Sequence, residues 1–234
     1  MAKTHRRRRV VALLVVSVLP LYFLFAQLAA PNIETSTEPA QTTHSDEPLA
    51  AQELAKLTIA DAGSKDGYAR DKFGNGWARW DKCDTRQRIL NRDLRGLALD
   101  SDGCTVLSGV LDDPYTGKTI DFTRGTTTSG AVQIDHVVAL ANAWISGAST
   151  WEKSRRVELA NDELELLAVD GPANMQKGAS AADAWLPPYQ PFRCQYVARQ
   201  IAIKIKYALS VTSAEHGAME KVLHTCPAQR LPTP

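Results

Sequence analysis

The chain has 234 residues, 44% hydrophobic and 23% charged, with five Trp and six Tyr, an ordinary globular composition that argues against a repeat protein or a fully disordered chain. The net charge is +1, but five of the 27 basic residues and no acid lie in residues 1–30, which leaves 22 basic against 26 acidic residues, a net of −4. A generally basic surface is therefore excluded, and a nucleic-acid partner would have to be held by a local patch and a metal.

The cluster His5-Arg6-Arg7-Arg8-Arg9 is followed by Val10–Ala30 without a charged residue, a run long enough to span a bilayer, which takes about 20 apolar residues. Residues 1–30 are expected to be a signal peptide, with Leu28-Ala29-Ala30 near its end, or an N-terminal transmembrane anchor. Either reading places the remainder outside the cytoplasm, secreted or held at the outer face of the membrane, with membrane contact through this segment alone and no obligate protein partner implied. Residues 31–48, rich in Thr, Ser, Pro and acids, read as a flexible linker.

The folded domain is expected over 49–226, with 227–234 as a frayed tail. A first helix is predicted over Leu49–Ile59, loop or short strand over the Gly- and aromatic-rich Arg70–Trp80, and a helix over Arg86–Leu97. Val106 and Val110 favour a strand, Asp112-Asp113-Pro114-Tyr115-Thr116-Gly117 is a turn signal, and Thr119–Phe122 suits the partner strand. Val132 and Ile134 alternate with polar neighbours ahead of Asp135-His136, and Val137–Ile145 has helical spacing. Ser149-Thr150-Trp151-Glu152 matches a capping box before a helix to Ala160. Leu164–Val169 reads as a strand, Asp170-Gly171-Pro172 as a turn, and Asn174–Trp185 as a helix ending before Pro187-Pro188. Cys194, Val197, Ile201, Ile205 and Ala208 share a helical face, and Thr212-Ser213-Ala214-Glu215 is a second capping box, before a helix through Leu223.

Cys83, Cys104, Cys194 and Cys226 all lie in the exported part, and an even count in an oxidising compartment points to two disulfides. Cys83–Cys104 and Cys194–Cys226 are the favoured pairs, each joining neighbouring elements of one half. A zinc site is the competing use, but no two cysteines have its close spacing.

Of the five histidines, only His136 follows an apolar strand with a carboxylate beside it. A near-neutral imidazole can take a proton from water, and a carboxylate such as Asp135 can hold a hard cation. The competing reading is a buried structural histidine with a capping Asp. Downstream, the strand, turn and helix of Leu166–Gly178 bring Asn174 and Lys177 to a helix start, which favours anions. Asn174 offers an amide oxygen to a metal and Lys177 a contact to phosphate. Arg86, Arg92 and Arg124 are further phosphate candidates. Trp77, Trp80, Trp144, Trp151 and Trp185 could stack on bases, though core positions are the simpler reading.

The run VQIDHVVALANAWISGA, then W…R…AND…LLAVDGPAN..KG…WLPP, resembles the secreted bacterial HNH endonuclease family, related to the C-terminal HNH domain of GmrSD-type restriction enzymes. CDTR at Cys83–Arg86, RDL at Arg92–Leu94, DPYTG at Asp113–Gly117 and the run from Arg193 to Leu223 extend the likeness to about residues 50–226. The resemblance implies an α+β fold, a mostly helical single domain around a small ββα-metal core. It implies Asp135 and Asn174 as metal ligands, His136 as general base, and Lys177 or Arg86 offsetting developing charge. The ion would be divalent, with magnesium the default and manganese or zinc open. The substrate would be DNA or RNA, cut at phosphodiester bonds. Two positions depart from the family pattern. Glu165 stands where the middle Asn, a brace for the histidine loop, is expected, with Asn161 a weaker candidate for that role. Ala179 and Ala181 stand where acids are usual. These departures keep two rivals in view: an envelope binding protein that has kept the fold and lost turnover, and a phosphoesterase acting on smaller substrates.

Overall fold

A computed structural model describes residues 47–232, which belong to one compact unit, Asp46–Pro234. The expected signal or anchor segment and nearly all of the linker lie outside the described residues. Among the described residues, no helix is long and apolar enough to cross a membrane.

Helix and sheet are both present among the described residues, in keeping with an α+β class, and three small antiparallel sheets there interleave with the helices. α1 (Ala50–Leu54) is shorter than the predicted helix, because the chain turns after Leu54 and Ile59 bridges to Val211. A hairpin of β1 (Arg79–Trp80) and β2 (Cys83–Asp84) leads into α2 (Thr85–Asp93), whose first turn is capped by Asp84 accepting from the Gln87 amide at 2.8 Å. The helix was expected to reach Leu97. It stops at Asp93, because Leu94 pairs with Leu111 and opens β3 (Leu94–Leu99). β4 (Val106–Asp112) and β5 (Thr119–Thr123) complete a three-stranded sheet in the order β3-β4-β5. Their connection is the predicted turn: Asp113 accepts from the Thr116 amide at 2.7 Å, and Gly117 takes a φ of +72°, which a side chain would resist.

The centre is an antiparallel pair, β6 (Val132–His136) and β7 (Leu166–Asp170), with Val132 opposite Asp170 and His136 opposite Leu166. α5 (Gly171–Lys177) follows β7 directly, its first turn capped by Asp170 accepting from the Ala173 amide at 2.8 Å. Successive side chains of a strand point to opposite faces. Leu166 and Ala168 therefore enter one apolar cluster with Ile89 and Leu90 of α2, while Leu167 and Val169 enter another with Val197 and Ile201. Burial on both faces explains the unbroken apolar run. Side chains, not a third strand, serve the outer edge of β7: Asp93 accepts from the Ala168 amide at 2.8 Å and Arg92 donates to the Leu166 carbonyl at 2.7 Å. α5 ends at Gly178 (φ +54°), well short of the predicted Trp185. An added Cβ at Gly171 would lie 2.1 Å from the Gly130 carbonyl oxygen, so the start of α5 packs directly on the loop before β6.

Between β6 and β7 run α3 (Leu140–Ile145) and α4 (Lys153–Ala160). The predicted capping box at Ser149 does not form, because residues 148–150 make a 3₁₀ turn and the helix starts only at Lys153. The second box does cap: Thr212 Oγ1 accepts from the Glu215 amide at 3.1 Å at the start of α7 (Ser213–Leu223). Its Glu215 turns inward to the buried Lys204 of α6 (Arg193–Tyr207), which also donates to Asn142 at 3.1 Å and the Ser210 carbonyl at 3.0 Å. Disulfides join Cys83 to Cys104 and Cys194 to Cys226. The tail expected to fray is tied down as far as Leu231: Leu49 bridges to Arg230, the Ala50 amide donates to the Gln229 carbonyl at 2.9 Å, and the Leu231 amide donates to the Pro48 carbonyl at 3.0 Å.

Candidate active site

His136 ends β6 and is 6% exposed. Its Nε2 lies 3.0 Å from the Ala160 carbonyl oxygen. A carbonyl can only accept, so Nε2 carries the proton and Nδ1 keeps the lone pair. Trp77 stacks on the ring, with centroids 5.6 Å apart and planes at 11°. Burial, then the nearby Arg70 charge, holds the imidazole pKa at about 3. His136 is thus a neutral, oriented base over a wide pH range.

Asp135 and Asn174 line the same cavity of about 290 Å³ as His136, together with Tyr68, Arg70 and Ala179. Alternation along β6 turns Gln133 and Asp135 toward α5. Gln133 Oε1 accepts from Asn174 Nδ2 at 2.9 Å, which leaves the Asn174 carbonyl oxygen as the free end of the amide. Asp135 accepts from the buried Tyr115 hydroxyl and from Lys177 Nζ at 2.9–3.0 Å. Burial, then the Asp135 charge, pushes the Tyr115 phenol well above its ordinary value, so Tyr115 stays a donor.

Lys177 does not point into the cavity. It is 1% exposed and also donates to the His136 carbonyl at 2.7 Å, so it ties α5 to the end of β6 rather than reaching for a ligand. Glu165, 0% exposed, accepts from the Val138 amide at 3.1 Å, just beyond His136. It braces the loop after the histidine, the task expected of Asn, and burial raises its carboxyl well above the usual range. Asn161 is engaged elsewhere, accepting from the Ala78 amide and the Thr85 hydroxyl at 2.8 Å each.

The three arginines named from sequence do not join this cavity. Arg86 and Arg124 line a separate one. Arg92 is spent on Asp93 and on the Glu163 and Leu166 carbonyls. Sequence reasoning missed Arg70, which lines both this cavity and a second one on the Trp77 side of His136. It also missed Trp77 as the partner of His136 and Tyr115 as a donor to Asp135. A Tyr in a turn otherwise made of polar and turn-forming residues was the available signal for the last.

The donor set can be tested against a metal ion. The described residues hold no group of three or more His, Cys, Asp or Glu side chains able to cage an ion. Two hard oxygens, from Asp135 and Asn174, line one cavity, and an ion there would share the Asp135 carboxylate with Tyr115 and Lys177. That set suits an oxygen-seeking cation which keeps its waters and takes further ligands from substrate. It does not suit a closed zinc cage.

Residues 84–222 match the family described as GmrSD restriction endonucleases, C-terminal domain. An uncharacterized secreted protein of the fungus Arthroderma benhamiae is 37% identical over 209 residues, covering 88% of this chain and 99% of that protein. The relative is fungal, so nothing here ties the chain to bacteria. It is described as secreted, and the two disulfides fit an oxidising compartment. The transmembrane expectation is corrected accordingly: the relative is named as secreted, and no membrane-length apolar helix occurs among the described residues. No solved structure matches this chain.

Proposed function

Since the chain belongs to the family of GmrSD restriction endonuclease C-terminal domains, we propose that it is a secreted, HNH-type endonuclease that hydrolyses phosphodiester bonds of DNA or RNA with a divalent cation, magnesium by default. The observation that carries this reading is the neutral, Trp77-stacked His136 in one cavity with the Asp135 carboxylate and the Asn174 amide oxygen. The order β6, β7, α5 answers to the two strands and helix of an HNH core.

His136 acts as general base. The Ala160 carbonyl fixes the ring, so Nδ1 receives the proton of the attacking water. Asp135 and Asn174 would hold the cation, which when bound would supply Lewis-acid stabilisation of the phosphate charge. Tyr115 and Lys177 orient Asp135, and Lys177 also fixes the His136 backbone. Arg70, with no carboxylate partner among the described residues, supplies fixed positive charge where the phosphate charge grows. Glu165 holds the loop behind the base.

The test uses the purified secreted chain and His136→Ala on plasmid DNA and on RNA, with Mg²⁺ and with EDTA. Cleavage that EDTA stops, and that His136→Ala lowers by about two orders of magnitude, is expected. A folded wild-type protein that cuts neither polymer with Mg²⁺, Mn²⁺ or Zn²⁺ defeats this reading in favour of a binding role. Hydrolysis of small diesters alone favours a phosphoesterase.

A further inference from the structure

The cleft between the start of α2 and the loop after β5 has about 430 Å³ of space and is lined by Asp84, Arg86, Gln87, Arg124, Thr126 and Ser129. Arg86 is half-buried, and a single nitrogen, Nη2, donates to the Val132 carbonyl at 3.1 Å and the Ser129 carbonyl at 3.5 Å. A guanidinium has five N–H donors, so most of Arg86 has no acceptor among the described residues. Arg124 is exposed and its side chain makes no hydrogen bond or ion pair among them. Burial bears most against the Arg86 charge, the nearby Asp84 carboxylate favours it, and Arg124 opposes it less strongly. Asp84 is the acid of the cleft, but its carboxylate caps the Gln87 amide and pairs with neither arginine. Neighbouring arginines fare differently: Arg88 pairs with Glu163, Arg92 with Asp93 and Arg95 with Asp112. Two arginines with no carboxylate in ion-pair contact, and only the Asp84 charge to offset both, mark a place where an anion supplies further negative charge.

We propose that this cleft is a second phosphate subsite, separate from the His136 cavity, which grips the backbone of the nucleic-acid strand away from the cut. The proposal rests on the nuclease reading and extends it. Arg86 grips Val132, the first residue of β6, and His136 is the last. Four strand steps of about 3.3 Å put the two anchor points about 13 Å apart. Successive phosphates of one strand rise ~3.4 Å along the axis and also wind around it, so their through-space separation is larger than the rise and the gripped phosphate lies about two nucleotides from the scissile one. An acidic domain with no generally basic surface then binds a polyanion by concentrating charge at two points. This also gives Arg86 a role in binding rather than in offsetting charge at the reaction centre.

The full secreted chain is compared with Arg124→Ala, Arg124→Glu and, as a charge control away from the cleft, Arg95→Ala. Arg86 is left intact because it clamps α2 to β6. Binding of a labelled 20-nucleotide oligonucleotide is followed by anisotropy against salt in EDTA. Cleavage is followed with Mg²⁺ on oligonucleotides that extend either one or eight nucleotides beyond the cut on each side. Arg124→Ala is expected to weaken binding about tenfold and to lower the salt slope by about one. It should raise KM on the long oligonucleotide, leave kcat there in place, and show little length dependence in the remaining activity. Arg124→Glu should exceed it, and Arg95→Ala should match wild type. Unchanged binding in Arg124→Glu overturns the subsite and leaves the nuclease reading standing, as does an equal loss on long and short oligonucleotides. A wild-type protein that neither binds nor cuts nucleic acid overturns both.

Discussion

The state of the His136 imidazole leaves a signature in folding stability that needs no substrate. In the folded protein its pKa lies at about 3, against an ordinary 6.5, first because of burial. Below pH 6.5 the unfolded chain binds a proton that the folded chain refuses. Stability therefore falls as pH drops through 6.5 and stops falling below about 3. At about 1.4 kcal/mol per pH unit the full effect is about 5 kcal/mol, of which about 2.7 kcal/mol is reached by pH 4.5. Because His136 lines two open cavities, water there trims these values, and they are upper figures. The assay is urea unfolding of wild type and His136→Ala at pH 7.5, 6.0 and 4.5. Removing the packed ring costs stability at pH 7.5, and the gap should narrow by about 2–3 kcal/mol by pH 4.5. A gap that does not change with pH means that the imidazole is not held neutral. The assignment of Nδ1 as the base then loses its support.

Glu165→Gln tests the brace. The Gln carbonyl can accept from the Val138 amide as the buried carboxyl does, so cleavage should stay within a few-fold of wild type. The raised folded pKa means that Glu165 contributes stability which is present below its ordinary value of about 4.5 and is lost as pH rises toward the folded value. The variant should thus gain on wild type in melting scans from pH 5 to pH 8, and a constant difference would show an ionised Glu165. Lys177→Met leaves Asp135 buried without its cation and should cost about 3–5 kcal/mol in chemical unfolding. Adding Asp135→Asn should return a large part of that loss, and full additivity of the two changes would refute the pairing.

Local chemistry made parts of this molecule readable. The turn at Asp113–Gly117 needs acceptor side chains and a glycine, and the sequence shows both. The alternation at Val132 and Ile134 marks β6, and Thr212 caps its helix as its spacing predicts. Other features depend on distant partners. Nothing local ends α2 at Asp93. The strand begins there because Leu111 lies opposite Leu94, and helical propensity yields to that pairing. Ser149 has the right neighbours for a cap, yet the chain makes a 3₁₀ turn instead. In the site, Asp135, His136 and Asn174 were visible as chemistry on a strand and a helix. The directions taken by Lys177 and Glu165 were not, because each is decided by a backbone group on another segment, the His136 carbonyl and the Val138 amide. Arg70 and Trp77 were hidden for a related reason. Arg70 opens a single 3₁₀ turn, Arg70–Phe73, and Trp77 lies in the loop beyond it; no periodicity marks either, and only folding brings them to His136.

The pairing of residues 48–50 with residues 229–231 carries a consequence for how the molecule is made. A chain threaded through a pore in its direction of synthesis presents Leu49 early and Arg230 late. Until residues 229–231 clear the pore, α1 lacks the backbone partners that fix it, and α6 and α7, against which it packs, emerge only shortly before. The disulfide at Cys226 waits on the same event. Completion of the domain is thus a late step, and a truncated product ending before residue 229 lacks the clasp whatever the state of His136. On the proposed reading of a secreted nuclease, an activity that matures only once residues 229–231 have crossed poses little danger to the cell that makes it.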